Sequence, residues 1–239
     1  MLMLEDFNIY VINLPTREDR RREMTTQLKR LGLGFQSSNV RLFPAARPEG
    51  PGPFPSVGAR GCFLSHLGVL EDAERRGNAR ILILEDDLNF SSDFPARWPR
   101  VLRLLTAEPW SMFYGGYEIG EDVVTLGQQP LIRYPAESWV QTAHFVGFQG
   151  SAVGLAAAFL REMLAREPGS PSGGPMHVDG AYCWFRRAHP EFQTWLAVPP
   201  LGYQRASKTD IHELRWLDQT PLLRRCVVIA RRIRNLLAR

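Results

Sequence analysis

Cysteine is scarce. Cys62, Cys183 and Cys226 are the whole complement, odd in number and widely spaced. That pattern argues against zinc or a disulfide framework and favours a reducing compartment. Long apolar runs are missing as well, since no stretch approaches the roughly 20 residues of a membrane span. The opening Met1-Leu2-Met3-Leu4-Glu5-Asp6 is short and acidic and does not read as a signal peptide. A cytoplasmic protein is the expectation. Lysine is nearly absent too, with Lys29 and Lys208 alone among 29 basic residues. The formal charge of +4 is unevenly placed: residues 221–239 carry six arginines and no acid, leaving 23 bases against 25 acids elsewhere. The body is therefore no general nucleic-acid binder, and any attraction to polyanions belongs to the tail.

What is present is an ordinary globular balance, 44% hydrophobic and 23% charged over 239 residues, which fits one domain. We place that domain at 1–220 and a separate basic segment at 221–239. The chain is organised around Arg80-Ile81-Leu82-Ile83-Leu84-Glu85-Asp86-Asp87. Four consecutive large aliphatics read as a strand buried on both faces, and three acids emerge at its C-terminal end, where open α/β sheets bind ligands. Adjacent carboxylates repel one another, and a hard divalent cation such as Mg²⁺ or Mn²⁺ relieves the conflict. Extended-chain alternation puts Glu85 and Asp87 on one side and Asp86 on the other. The competing reading is a solvated acidic turn.

Phe7–Ile12 reads as a first strand, followed by a turn at Asn13-Leu14-Pro15 and a helix through Met24, Leu28 and Leu31 that stops at Gly32. Thr16 has the look of its N-cap, with Asp19 in the capping-box position. Arg17, Arg20, Arg21 and Arg22 crowd the first turn, where cations oppose the helix dipole. A bound phosphate would relieve that, but for Arg20 to Arg22 a solvated basic face is the preferred reading. Residues 35–43 suggest a second strand and Pro44 to Pro55 a loop. A helix then opens at Gly58-Ala59-Arg60-Gly61 and puts His66 on its apolar face. His66 reads either as a satisfied core histidine or, with Ser65, as a phosphate or ribose contact.

These residues resemble a known family. Tyr10-Val11-Ile12-Asn13-Leu14 with Arg17 and Arg20, then Gly61-Cys62-Phe63-Leu64-Ser65-His66, then Ile83-Leu84-Glu85-Asp86-Asp87 look like glycosyltransferase family 25, the lipooligosaccharide galactosyltransferases and their collagen-modifying relatives. The resemblance covers about residues 7–215 and is loose between 95 and 140. It implies a GT-A type, Rossmann-like α/β fold with a mixed, mostly parallel sheet flanked by helices. It further implies a UDP-sugar donor, Mn²⁺ or Mg²⁺ dependence, and inversion at the anomeric carbon. Asp87 would meet the metal, with Glu85 on the metal or nearer the ribose. Asn13, Arg17, Ser65, His66, Asp86, Gln204 and Lys208 would lie on the nucleotide side. The family's acidic residue before Gly-Cys is replaced here by Ala59-Arg60.

Downstream, Trp110–Tyr114 reads as a strand closing at Gly115-Gly116, glycines that let backbone approach a ligand or simply turn. The aromatic, Gly-rich stretch from Thr142 to Val153 leads into a helix through Leu155, Phe159 and Met163. Inverting transfer needs a base for the acceptor hydroxyl. Asp179, just after the Pro168–Pro175 loop, is the candidate, and it could equally cap the following helix. Leu196–Val198 reads as a last strand. Beyond it, Lys208 or Arg205 could neutralise a leaving diphosphate, and His212 could complete a metal shell. Residues 221–239 read as a basic amphipathic helix, suited to an anionic membrane surface or to docking on the body. The expected partners are a nucleotide sugar and a glycan, lipid-linked or peptide acceptor, with no nucleic acid. The rival readings are a sugar nucleotidyltransferase and a catalytically silent, membrane-tethered binding protein.

Overall fold

The computed structural model describes residues 3–120 and 129–205. After a 3-10 turn at Leu4–Asp6, strands β1 (Asn8–Asn13) and β2 (Val40–Pro44) flank helix α1 (Glu18–Lys29). Helix α2 (Val57–Arg75) leads to β3 (Arg80–Glu85), β4 (Leu88–Phe90) and α3 (Phe94–Ala107). Then come β5 (Met112–Glu118), β6 (Leu131–Tyr134), β7 (Gln141–Gln149), α4 (Ala152–Leu164), α5 (Val178–Ala188), β8 (Thr194–Ala197) and β9 (Gly202–Gln204).

Seven strands make one sheet in the order β2-β1-β3-β7-β5-β8-β6, and β4 pairs with β9 in a small second sheet. β1 runs parallel to β2 and β3, and β5 parallel to β8; β7 is antiparallel to β3 and β5, and β6 to β8. Five strands thus share one direction while β6 and β7 oppose them, which is the mixed, mostly parallel α/β sheet expected.

β3 is buried on both faces as its sequence requires. Ile81 and Ile83 enter the core shared with α2, α4 and α5, whereas Leu82 and Leu84 enter the core shared with α1 and α3. None of the four is more than 2% exposed, and each contributes about 1.5–3 kcal/mol on burial.

Two local expectations are revised. Thr16 does not cap α1: the helix starts one residue after Arg17, whose side chain clamps Asp19 through Nε and Nη2 at 2.9 and 2.8 Å. The carboxylate expected at the capping box is thereby taken. Gly115 and Gly116 do not close β5 but lie inside it. A Cβ on Gly115 would strike the Phe145 ring, and one on Gly116 the His144 ring and the Gly202 carbonyl. Their smallness serves the protein's own packing. No described helix is long and apolar enough to cross a membrane.

Candidate functional site

The parallel register sets Ile12 of β1 opposite Glu85 of β3, so Asn13 and the acids leave the sheet at the same edge. β7, running the other way, brings its start to that edge, with Phe145 opposite Leu84. β9 pairs antiparallel with β4, which sets Gln204 opposite Leu88, just after the acids. The strand ends at Glu85 and a turn follows, so the three acids diverge into three different surroundings.

Asp86 faces α1. Its Oδ2 accepts from Asn13 Nδ2 at 2.7 Å and its Oδ1 from Arg20 Nη1 at 2.8 Å. Arg20 is 8% exposed and Asp86 6%. The solvated basic face read from the sequence is therefore wrong at Arg20, although it holds for Arg21 and Arg22, which pair loosely with Glu18. Helical periodicity alone could not reveal that one turn of α1 abuts the mouth of β3.

Asp87 is the unsatisfied acid. Its Oδ2 lies 3.5 Å from Arg20 Nη1, and its buried Oδ1 has no hydrogen-bond partner among the described residues. Burial, reinforced by the negative charge of Glu85, raises its pKa from the ordinary 3.8 to about 7, against the pull of Arg20. Arg205 closes this side: its backbone N–H donates to the Asp87 carbonyl at 2.7 Å, and its guanidinium reaches Glu23 and the Asp86 carbonyl.

Glu85 sits in the opposite environment. Oε1 lies 3.2 Å from His66 Nε2 and accepts from Cys62 Sγ at 3.4 Å; Oε2 accepts from Gln204 Nε2 at 3.4 Å. Burial alone would raise its pKa, but the hydrogen bond from His66, helped by His144 and Cys62, holds it below its ordinary value. His66 is fully buried and its Nδ1 lies 3.0 Å from the Tyr182 hydroxyl of α5. The core reading of His66 is thus realised, with Glu85 as one of its partners. A neutral imidazole satisfies every contact if the Tyr182 O–H donates to Nδ1 and Nε2–H donates to Glu85. Burial pushes the Cys62 thiol up, and the negative charges of Glu85, Asp179 and Asp87 push it further.

Asp179 is the second residue of α5, whose N-cap is His177. Its Oδ2 accepts from the Thr142 backbone N–H at 3.0 Å and its Oδ1 from Gly180 N–H at 2.8 Å. Thr142 is the one described non-glycine residue with positive φ, at 62°. Backbone held in that region costs of order 1–3 kcal/mol and gathers at functional sites. Thr142 Oγ1 lies 3.0 Å from His144 Nδ1, and burial pulls the His144 pKa down. Sequence reasoning missed Thr142, His144 and Tyr182. The usable signal was a histidine inside an otherwise apolar, Gly-rich strand.

The remaining candidates have plain placements. Asn13 also donates to the Arg17 carbonyl at 3.2 Å. Ser65 accepts from Ala46 N–H at 2.8 Å and donates to the Gly61 carbonyl at 2.6 Å, fastening the following loop to α2. Lys208, His212 and the segment 221–239 lie outside the described residues. A groove of about 500 Å³ between Asn78, Gly150 and Leu155 lies by the start of β3 and is remote from the acids.

A divalent cation fits the donor set in one respect that matters: Asp87 offers a buried carboxylate oxygen with no partner, and hard oxygen ligands suit Mg²⁺ and Mn²⁺. Glu85 is the second available donor, through the oxygen it now shares with Gln204 at 3.4 Å.

The mixed seven-stranded sheet flanked by helices is an α/β, GT-A-like fold. A solved glycosyltransferase involved in glycosylation of the major capsid of PBCV-1 superposes with a TM-score of 0.51, over 84% of this chain and 93% of that one, at 11% identity. No family model matches the chain. A probable inactive glycosyltransferase 25 family member 3 from Bos taurus is 28% identical over 195 residues, 73% of this chain and 33% of that protein. Procollagen galactosyltransferase 1-B of Xenopus laevis is 29% identical over 126 residues, 45% of this chain and 21% of that protein. The chain is thus similar in sequence to members of glycosyltransferase family 25. It spans about a third of the length of the first of these curated relatives.

Proposed function

We propose that the chain is a metal-dependent, inverting glycosyltransferase that moves a sugar from a UDP-sugar to an acceptor hydroxyl. The observation that carries this is Asp87: a largely buried carboxylate at the mouth of the central strand whose Oδ1 has no hydrogen-bond partner among the described residues, beside an ionised Glu85. Asp87 and Glu85 would hold Mn²⁺ or Mg²⁺. When bound, the ion supplies positive charge to stabilise a departing diphosphate.

The chain's own groups have separable tasks. Asn13 and Arg20 fix Asp86 and with it the turn that presents Asp87. Arg205 brings a further cation to the same turn, suited to neutralising negative charge that develops on a leaving group. Asp179, its carboxylate oriented by two backbone N–H groups, is the base for the acceptor hydroxyl proton. Galactose is the proposed sugar, supported by a procollagen galactosyltransferase among the relatives. A glycan, lipid-linked or on peptide, is the proposed acceptor, and the basic residues 221–239 would bring the chain to an anionic membrane surface.

A second reading, a catalytically silent binding protein, is favoured by one observation: mammalian relatives carry "inactive" in their names. One experiment separates the two. Metal-free protein is incubated with UDP-galactose and other UDP-sugars, with and without Mn²⁺, and free UDP is measured. Metal-dependent UDP release that is lost in Asp87→Ala supports transfer. UDP binding without turnover supports the silent reading, and pyrophosphate-dependent formation of UTP would point to a nucleotidyltransferase.

A further inference from the structure

The scarcity of cysteine argues against a cysteine framework for zinc, but it does not exclude a mixed site assembled from different elements. We propose that Cys62, His66 and Glu85 form a binding site for a thiophilic divalent cation, Zn²⁺ by its chemistry, separate from the hard-cation position at Asp87. Cys62 and His66 stand four residues apart on one face of α2, and Glu85 meets them from the end of β3. Their ligand atoms all lie within 4.8 Å of one another.

The spacing is close to what zinc imposes. With Zn–S near ~2.3 Å and Zn–N and Zn–O near ~2.1 Å at tetrahedral angles, sulfur and oxygen ligands sit about 3.6 Å apart, and nitrogen and oxygen about 3.4 Å. Here Cys62 Sγ lies 3.4 Å from Glu85 Oε1, and His66 Nε2 lies 3.2 Å from it. These two pairs differ from the zinc spacing by only a few tenths of an ångström, and the third, from Cys62 to His66, lies within 4.8 Å.

The surroundings also suit a metal. A ligating imidazole needs its other nitrogen held by an outer partner, and the buried Tyr182 hydroxyl stands 3.0 Å from His66 Nδ1. Cys62 and Glu85 are only partly buried while His66 is fully buried, which leaves an approach from the outer side and a fourth position for water. A thiolate–imidazole–carboxylate set selects Zn²⁺ over Mg²⁺ or Mn²⁺, which prefer oxygen alone. On binding, the Cys62 thiol gives its proton to solvent, the sulfur lone pair forms the metal bond, and the His66 proton moves from Nε2 to Nδ1, where the Tyr182 oxygen accepts it. Glu85 is common to both sites: its Oε1 faces Cys62 and His66, and zinc there leaves only Oε2 for a hard cation.

The test does not depend on turnover. The metal-free full-length protein is titrated with Co²⁺ as a spectroscopic substitute, then with Zn²⁺. We expect one equivalent of Co²⁺ to give a thiolate-to-cobalt charge-transfer band that Zn²⁺ removes. The band should vanish in Cys62→Ser and persist in Cys183→Ser, Cys226→Ser and Asp87→Asn. Tyr182→Phe should weaken binding by about 10–100-fold, the usual effect of losing an outer-shell partner. A band that survives Cys62→Ser, or one that Asp87→Asn abolishes, overturns the site, as does wild-type protein with no band. Should Cys62→Ser not fold, X-ray absorption of the zinc-loaded wild type decides: one sulfur at about 2.3 Å among nitrogen and oxygen ligands supports the site, and a shell without sulfur refutes it.

Discussion

Asp87→Asn should stabilise the metal-free protein at pH 8. Asn is nearly isosteric and carries no charge, so it imitates the protonated acid. Burial and the neighbouring Glu85 raise the Asp87 pKa from 3.8 to about 7. An acid whose folded pKa stands above its unfolded one holds its proton more tightly when folded. The stability this provides is complete below about pH 4 and is lost as the pH rises through about 7. The interval is roughly three pH units at about 1.4 kcal/mol each, so ionised Asp87 costs the folded state on the order of 4 kcal/mol at pH 8. The side chain is 13% exposed, so little of this is screened away. For a chain of this size, each kcal/mol moves Tm by about 2–4 °C, and the substitution should therefore raise Tm by on the order of 10 °C. The assay is thermal unfolding by circular dichroism in chelator at pH 5 and pH 8, wild type against Asp87→Asn. The advantage of the variant should be large at pH 8 and should shrink as the pH falls toward 5 and Asp87 regains its proton. A variant less stable than wild type at pH 8 would show that the Arg20 contact at 3.5 Å outweighs desolvation, and the argument for an acid awaiting a cation would fail.

Mn²⁺ should restore wild-type stability at pH 8 and leave Asp87→Asn unmoved. Its affinity, followed by calorimetry, should rise about tenfold per pH unit between roughly 4 and 7, because one proton is expelled on binding. Asp179→Asn keeps an acceptor for the Thr142 N–H but cannot take a proton. Transfer should fall by about 10²–10⁴-fold with UDP affinity retained in calorimetry, and parallel losses would remove Asp179 from the role of base. Arg20→Met leaves Asp86 buried without its ion-pair partner and should cost about 3–5 kcal/mol in urea unfolding; a cost below about 1 kcal/mol, the range of exposed pairs, would mean the pair is solvated after all. Gly116→Ala drives a methyl toward the His144 ring and the Gly202 carbonyl and should cost about 1–3 kcal/mol by overpacking, whereas an unchanged Tm would show that β5 can yield there.

The central strand was legible because its signal is local. Four aliphatics between a turn and three acids admit few readings, and burial on both faces followed. The division of labour among the acids was not legible, because it depends on which element meets each one. Asp86 meets Asn13 only because β1 and β3 pair in parallel with Ile12 opposite Glu85. Arg20, read from α1 alone, belongs to a solvated basic face. The sheet edge turns it into a buried counter-ion, and no periodicity encodes that edge. Cys62 and His66 are visible as a pair at helical spacing, but their meeting with Glu85 and Tyr182 needs α2, β3 and α5 together. The alternation rule failed at one point for a related reason. It assumes an extended chain, and the chain turns after Glu85, so Glu85 and Asp87 enter different surroundings. Hydrogen bonds from His66 and Cys62 hold Glu85 ionised, while Asp87, without a partner on Oδ1, is driven toward neutrality. In sequence they are two like residues two positions apart, and the fold alone makes them different.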